Sequence, residues 1–404
     1  MAIFIQATPK DFAPVYNKME YLLKSDNVGE PSFTYLVDIY INGSGTRTAR
    51  LRIPIRPTDG FGKVDIHRVL ESALTSNIGN PLGIAATYSA PNSSLNYIVE
   101  FGEEYAVAGV ITAFPNLTTD INRKAFNASL EKSNFINWDA TDYEFELLGS
   151  TKKFLTNMPN DNKVSLNSHG WLYYKGDAII GQFVIQRLNQ VGTPFNVRID
   201  ATATSGDIQF VPSAPASLNN IDNANFIAGS QPIIPTDTAS YSVKALDALG
   251  NTISEEQTFI IKENCKYNVN TLIFQNNLGG FDNFTFYLGD ESMTDIERKD
   301  MKVNVDNVVG TDIVYSMDER EKVTYYTKNT PSLKLMSDWI TEAESNWLLE
   351  LMSSPEIYLQ NGDELIAVAK IKATNYTKKK VVRDKLFKID VELELGYDNY
   401  RQRI

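Results

Sequence analysis

The stretch Thr34–Ile41 (TYLVDIYI), followed by Asn42–Gly45 (NGSG), decides the fold class of this chain. Its first part is rich in β-branched and aromatic residues, and the Asn-Gly-Ser-Gly that follows is typical of a hairpin turn. From Arg47 to Arg56 apolar and polar residues then alternate, which is the period of a half-buried strand. Pro54 indicates that this strand ends at a sheet edge or a bulge. We therefore expect a mainly β protein.

The same strand pattern recurs along the whole chain. Further strands are predicted at Leu95–Phe101, Tyr105–Ala113, Tyr143–Leu148, Gly170–Tyr174, Ala178–Leu188, Asn196–Thr204, Tyr241–Ala245, Thr258–Ile261, Thr271–Phe274, Phe284–Tyr287 and Leu386–Leu395. Two helices interrupt them. One is predicted from Ile66 to Leu74 with Asp65 as its N-cap, and the other over 341–353, where Thr341 and Glu344 form a capping-box pattern.

These elements predict a multi-domain β-sandwich or barrel-like architecture with a few short helices. We expect an N-terminal β domain with one short helix over 1–150, an immunoglobulin-like β-sandwich over 151–262, and a C-terminal β domain over 263–404 with its helix near 341–353. The stretch Val211–Asp237 is rich in Pro, Ser, Ala and Asn. It is long for a connection, so we expect a functional loop, a mobile loop or one packed on a neighbouring molecule.

Composition limits the partners of the chain. Its 404 residues carry a formal net charge of −12. Phosphate binding needs an excess of Lys and Arg, so we expect no specific nucleic-acid partner. No stretch approaches the length of an apolar membrane span, and the N-terminus lacks the pattern of a secretory signal. We expect a soluble protein that acts without a membrane.

Scarce residues limit the chemistry. Cys265 is the single cysteine, and His67 and His169 are the only histidines, so neither an intramolecular disulfide nor a structural zinc site is expected. We interpret Cys265 as a buried thiol, His67 as an exposed helix residue and His169 as part of a turn. Phosphate-loop and dinucleotide-binding motifs are absent from the sequence. We predict no catalytic, cofactor-binding or metal-binding residues and no cofactor.

Two other classes of protein stay open as alternatives. A carbohydrate-binding adhesive module needs exposed aromatics, for which Trp138, Trp171, Tyr173 and Tyr174 are candidates. A glycan hydrolase, the less favoured alternative, needs two coupled carboxylates. The candidate pairs are Glu103–Glu104, Glu255–Glu256 and Asp318–Glu319, which we interpret as surface charges.

Three polar clusters have a structural interpretation. The clusters Asn160–Asn162 and Asp222–Asn225 offer oxygen ligands without the spacing of an EF-hand, so we interpret both as turns. The one basic run, from Lys378 to Lys388, lies next to acidic residues. We interpret it as a hairpin that protects a sheet edge.

Several stretches together resemble a family of virion proteins. They are Val37–Tyr40, Arg50–Pro54 and Gly60–Ile66 near the N-terminus, the Asn276–Asp282 motif with Phe284–Phe286, and the C-terminal stretches Trp347–Leu351, Ser354–Tyr358 and Lys385–Phe387. These patterns resemble tail-associated structural proteins of phages that infect Bacteroidetes, including the crAss-like group. The middle of the chain matches only in general character.

The resemblance implies a virion component of the tail, ring or baseplate region. Such a protein works as a multimer around an axis, through contacts with copies of itself and with neighbouring tail, portal or baseplate proteins. It assembles in the cytoplasm of the host bacterium and is found in the virion. Edge strands, the Val211–Asp237 stretch and the terminal segments would then be the interfaces.

Overall fold

The protein is mainly β, as predicted. We describe it from a computed structural model that covers residues 3–43, 45–145, 151–176, 180–201, 206–263, 267–303, 308–314, 317–318, 320–372 and 387–401. Up to residue 145 the strands are β1 (Ile3–Ala7), β2 (Phe12–Pro14), β3 (Glu20–Ser25), β4 (Thr34–Ile41), β5 (Ala49–Pro54), β6 (Gly62–Asp65), β7 (Tyr88–Ser89), β8 (Ser94–Val107) and β9 (Val110–Phe126).

The strands of the central region follow in chain order. They are β10 (Asn162–Val164), β11 (Trp171–Lys175), β12 (Ile180–Asn189), β13 (Pro194–Asp200), β14 (Ile208–Pro212), β15 (Phe226–Ala228), β16 (Thr238–Asp247) and β17 (Gln257–Ile261). The helices here and upstream are α1 (His67–Glu71), α2 (Lys132–Ile136) and α3 (Pro215–Asn219), with 3₁₀ turns at Ala140–Asp142 and Asn223–Asn225.

The C-terminal strands end the chain. They are β18 (Asn270–Gln275), β19 (Phe281–Phe286), β20 (Asp290–Lys302), β21 (Val308–Val309), β22 (Asp312–Ile313), β23 (Lys322–Met336), β24 (Ile357–Asn361), β25 (Glu364–Ile371), β26 (Asp390–Leu395) and β27 (Asn399–Tyr400). Helix α4 (Glu342–Ser353) lies between β23 and β24.

The hairpin that decides the fold class is present as predicted. β4 has the predicted bounds, and Asn42 and Gly43 turn the chain with φ values of 52° and 65°. The sheet order is β2-β9-β8-β4-β5, so β5 is an edge strand, as Pro54 predicts. One face of β4 contributes Tyr35, Val37 and Ile39 to a hydrophobic core. The β1-β3-β6 sheet contributes side chains to the same core.

Two predicted elements of this region have different bounds. The strands predicted at Leu95–Phe101 and Tyr105–Ala113 are one hairpin, β8 and β9, which turns at Ala108 and Gly109. Gly102 caused the error because it lies at a bulge and not in a turn. The predicted helix ends early, at Glu71, and its N-cap is Ile66. Asp65 lies before the helix, where its carboxylate accepts the backbone N–H groups of Met19 and His67.

The central region forms two sheets. One has the order β10-β17-β16-β12-β13-β15, and the other has the order β11-β14-β7. The predicted hairpin of β16 and β17 is present. β11 and β12 follow one another along the chain but belong to different sheets. Tyr143 lies in a turn and not in the predicted strand Tyr143–Leu148, of which residues 146–148 are outside the described ranges. An immunoglobulin-like arrangement stays a prediction.

The chain divides into two compact units. The first comprises Met1–Lys262 and Gln275–Asn283, and the second comprises Glu263–Phe274 and Phe284–Ile404. The division into three domains at 150 and 262 stays a prediction. In the second unit the sheet order is β19-β18-β24-β25-β26-β23-β20, and β27 pairs with β23.

Helix α4 has the predicted position and the predicted capping box. Thr341 Oγ1 accepts the N–H of Glu344 at 3.2 Å, while the Glu344 carboxylate accepts the N–H of Thr341 at 2.6 Å. Trp347, Leu348 and Leu351 are buried, and the Trp347 ring lies 5.6 Å from the ring of Phe274. Ser354, followed by Pro355, ends the helix.

Candidate interaction site

A long β-hairpin in the second unit extends beyond the sheet to which it belongs. β26 pairs with β23 only from Ser332 to Met336, and β27 pairs with it only at Lys328 and Asn329. From Thr327 to Lys322, β20 is the only strand that pairs with β23 among the described residues, a length of about 20 Å at about 3.3 Å per residue. We call this portion, 298–303 and 322–327, together with 308–314, the arm.

Polar contacts hold the two strands of the arm together. Asp300 accepts hydrogen bonds from Lys322 Nζ at 2.8 Å and from Thr324 Oγ1 at 2.6 Å. The hydrogen bond from Lys322 is the main reason that the pKa of Asp300 lies below its usual range. The ammonium group of Lys299 lies 4.9 Å from the ring centre of Tyr326. Cross-strand pairs of this kind stabilise a ribbon that has no core of its own.

The outer end of the arm exposes large apolar side chains. Val309 is 68% exposed and Ile313 is 61% exposed, and the arm also exposes Met301, Val303, Val308 and Val314. An exposed apolar cluster on a protruding element is typical of a protein–protein contact. Sequence reasoning missed this element, although Val308–Ile313 (VVGTDI) carries the signal of a short hairpin with Gly310 in its turn.

The stretch Val211–Asp237, predicted as a long loop that binds neighbours, is mostly folded into the chain. It contains the end of β14, helix α3, a 3₁₀ turn and β15. Six of its apolar residues are buried within the same chain, namely Val211, Ala214, Leu218, Ile221, Ile233 and Ile234, whereas Ile227 is 54% exposed. The prediction of a long loop was therefore wrong, because the buried residues pack into the core of their own chain.

The aromatic residues proposed for a glycan platform are buried. Trp138 is 7% exposed, Trp171 and Tyr173 are 2% exposed, and Tyr174 is fully buried. The indole N–H of Trp138 donates to the carbonyl of Phe12 at 2.7 Å. These four rings belong to the core and offer no stacking surface for a sugar.

The candidate carboxylate pairs have separate partners within the chain. Glu103 is buried and accepts hydrogen bonds from Ser25 and Asn27, whereas Glu104 pairs with Arg52 at 2.9 Å. The Glu255 carboxylate accepts the N–H of Phe154 at 3.0 Å, and burial raises the pKa of Glu255. Exposed Glu256 accepts from Ser242. Asp318 is exposed, and Glu319 lies outside the described residues.

The two Asn/Asp clusters form turns, as predicted. Asp161 has a φ of 64° and its carboxylate accepts from Thr258 Oγ1 at 2.8 Å, while Asn160 accepts the N–H of Thr258 at 3.1 Å. Asp222 accepts the N–H of Ala224 at 3.0 Å and begins a 3₁₀ turn. The side-chain oxygens of Asn160, Asp161 and Asp222 therefore bind neighbouring protein groups.

The histidines lie in structural positions. His67 is half-buried instead of exposed, and its Nδ1 lies 2.9 Å from Asp65. His169 is buried after a turn at 166–167, and its Nδ1 lies 3.0 Å from Ser217 Oγ. Cys265 and most of the basic run, residues 378–385, lie outside the described residues.

One cleft in the first unit, of about 620 Å³, has a charged lining. Its cations are engaged by the protein itself. Lys10 Nζ donates to three carbonyl groups at the end of α2, at 2.6–3.1 Å, and Lys175 pairs with Glu144 at 2.8 Å. Arg123 donates to Asp120 at 2.9 Å and also to Asp11. These pairs tie neighbouring segments together.

The described residues contain no group of three or more His, Cys, Asp or Glu side chains placed to hold a metal ion. In the same residues no helix is both long enough and apolar enough to cross a membrane.

Comparisons with known proteins leave the family of the chain open. No protein-family model matches it, and no curated protein matches it either.

Proposed function

We propose that the chain is a virion structural protein, a subunit of a multimeric ring in a phage tail, portal-proximal or baseplate assembly. It acts through protein–protein interfaces. The observation that carries the proposal is the arm, which presents Val309 and Ile313 to solvent at the end of a two-stranded ribbon. A ribbon of this kind has little stability of its own in water, so burial of its end against a neighbour is favourable.

The resemblance to phage tail-associated proteins supports the virion part of the proposal. The residues that carry the resemblance lie in strands, turns and helix α4, which form the framework of the fold. Asn276 lies at the tip of the β18–β19 hairpin, and Trp347 and Leu351 attach α4 to the second unit. A framework that presents a protruding arm suits a subunit whose work is to hold neighbours in place.

The test is to locate the chain after infection of the bacterial host. A lysate is separated on a density gradient, and peptides of the chain are measured in every fraction. The proposal predicts that the peptides peak with the intact particles and remain there after a second gradient. Peptides that remain in the soluble fractions, while known capsid peptides sediment, would contradict it.

A further inference from the structure

Among the described residues, two sheets end in strands that have no further strand partner, and these two strands carry opposite charge. β5 is the last strand of its sheet and carries Arg50 and Arg52, with Arg56 just beyond its end. β20 is the last strand of the sheet in the second unit, and its side chains from Asp290 to Glu297 are exposed apart from half-buried Met293. Four of those eight residues are acidic, namely Asp290, Glu291, Asp295 and Glu297.

The spacing of the charges on the two strands is complementary. Antiparallel pairing with Arg50 opposite Glu297 places Arg52 opposite Asp295, because each step along one strand is matched by one step back along the other. Arg56 lies beyond the end of β5, where its backbone N–H bonds to the carbonyl of Phe61, and the same count brings it nearest to Glu291. The two arginines of β5 therefore each face a carboxylate, and opposite charges on directly facing residues stabilise a strand pair.

The same register also matches the apolar residues. Leu51, which is half-buried against the core of its own chain, is placed opposite Ile296, which is 51% exposed, on the face opposite to the arginines. Pro54 lacks an N–H group, so the hydrogen-bonded ladder ends there. The pairing then covers Ala49–Ile53 and its acidic partner strand, which is within the usual length of a strand.

The charged side chains of both edges already have partners in their own chain. Arg50 pairs with Asp38, Arg52 with Glu104 and Arg56 with Asp59, while Asp295 pairs with Lys372. The side chains of Arg52 and Asp295 nevertheless stay 61% and 67% exposed, so each can make a second contact with another copy. Two β5 edges would bring arginines together, and two β20 edges would bring carboxylates together. Like-charged edges repel and unlike edges attract, which selects a contact between two different surfaces.

We propose that β5 of one copy pairs in antiparallel fashion with β20 of a second copy of this chain. The inference rests on the proposed function in one respect, since a ring subunit must contact its own copies. A contact between two different surfaces repeats from copy to copy and forms a ring when the rotation closes. The partner for each open edge is thus the other edge of the next copy.

The test uses two charge-reversed full-length chains. One carries Arg52→Glu and Arg56→Glu, and the other carries Glu291→Lys and Asp295→Lys, all at exposed side chains. In the first chain both edges carry carboxylates at the two changed positions and at the positions that face them, and in the second chain both edges carry cations there. Native mass is measured for the wild type, for each variant alone and for an equal mixture of the two.

The proposal predicts a multimeric wild type, two monomeric variants and a mixture that regains the wild-type mass. A control with Lys24→Glu and Arg68→Glu, which changes two exposed cations elsewhere, should assemble like the wild type. Circular dichroism of each variant checks that it is folded. Reversed chains that assemble alone, a mixture that stays monomeric, or a monomeric wild type would each overturn the edge pairing. None of these results changes where the chain is found in the density gradient, so the two proposals fail separately.

Discussion

Asn276 donates its side-chain amide to the carboxylate of Asp282 at 2.9 Å, across the turn that joins β18 and β19. Its side-chain carbonyl accepts the N–H groups of Leu278 and Gly280, each at 3.0 Å. One buried side chain therefore replaces the backbone partners that a turn leaves open. This contact explains why an asparagine at 276 precedes the two glycines at 279 and 280.

Replacement of this asparagine tests that role. Asn276→Ala leaves two buried N–H groups without an acceptor, so we expect a loss of about 2–4 kcal/mol in the free energy of unfolding of the first unit. Asn276→Asp keeps the acceptor but places a second carboxylate beside Asp282, so it should not restore stability. Urea unfolding followed by fluorescence measures both. Unchanged midpoints for Asn276→Ala would show that the turn is held by other contacts.

Substitutions at two glycines separate the free-energy cost of a left-handed backbone from the cost of a steric clash at Cβ. Gly279 has a φ of +83°, and a Cβ there would lie 2.3 Å from the carbonyl oxygen of Asn127. Gly250 has a φ of +89° and open space around it. Gly250→Ala should cost about 1–2 kcal/mol, the usual penalty of the left-handed region. Gly279→Ala should cost clearly more, because backbone must also move. Equal thermal shifts for the two variants would contradict this.

The capping box of α4 makes a local prediction. Thr341→Ala removes the acceptor for the N–H of Glu344, so the helix should lose about 1 kcal/mol of local stability. Amide hydrogen exchange in the first turn should then become about fivefold faster, while Thr341→Ser should stay close to the wild type. Exchange rates that do not separate alanine from serine would show that the box contributes nothing.

The turn after β16 predicts a dependence on pH. The amide of Asn251 donates to Asp247 at 2.8 Å and, with backbone N–H groups, holds the pKa of Asp247 below its usual range. The stabilisation is complete above about pH 4, the ordinary pKa of an aspartate, and is lost as the pH falls through the lower pKa of the folded state. The difference in thermal midpoint between wild type and Asp247→Asn should therefore shrink below pH 4. A difference that is constant between pH 5 and pH 2 would contradict the assignment.

The arm should act in assembly and not in folding. Val309→Asp with Ile313→Asp places charge on exposed side chains, so the thermal midpoint should stay within the usual range of surface changes. A tagged copy expressed during infection should nevertheless fail to enter particles. Val191→Asp with Leu249→Asp is the matched control, since both side chains are 84% exposed elsewhere. Equal incorporation of the two tagged variants would show that the arm has no role in assembly.

The sequence predictions that succeeded were based on local patterns. The hairpin at Asn42–Gly43 and the capping box at Thr341 and Glu344 each depend on residues a few positions apart. Their physical causes, a left-handed backbone and the open N–H groups of a helix end, are determined by the local sequence.

Contacts between distant residues explain the predictions that failed. Gly102 resembles a turn residue, but it lies in a bulge where its Cβ position is 2.5 Å from the carbonyl oxygen of Phe114 on the paired strand. Val211 and Ile234 lie in a stretch of polar composition, but both are buried. Trp171 and Tyr173 could be surface or core residues by type, and only the sheet that contains them decides.

The central claim is that the chain is a repeated structural part of a virion, and its copy number tests this most directly. Isotope-labelled reference peptides of this chain and of the major capsid protein are added to twice-purified particles, and the ratio is measured by mass spectrometry. The account predicts one fixed ratio, equal to a whole number of copies per particle above one, in every preparation. A ratio that falls towards zero with each purification step would show that the chain is no part of the particle.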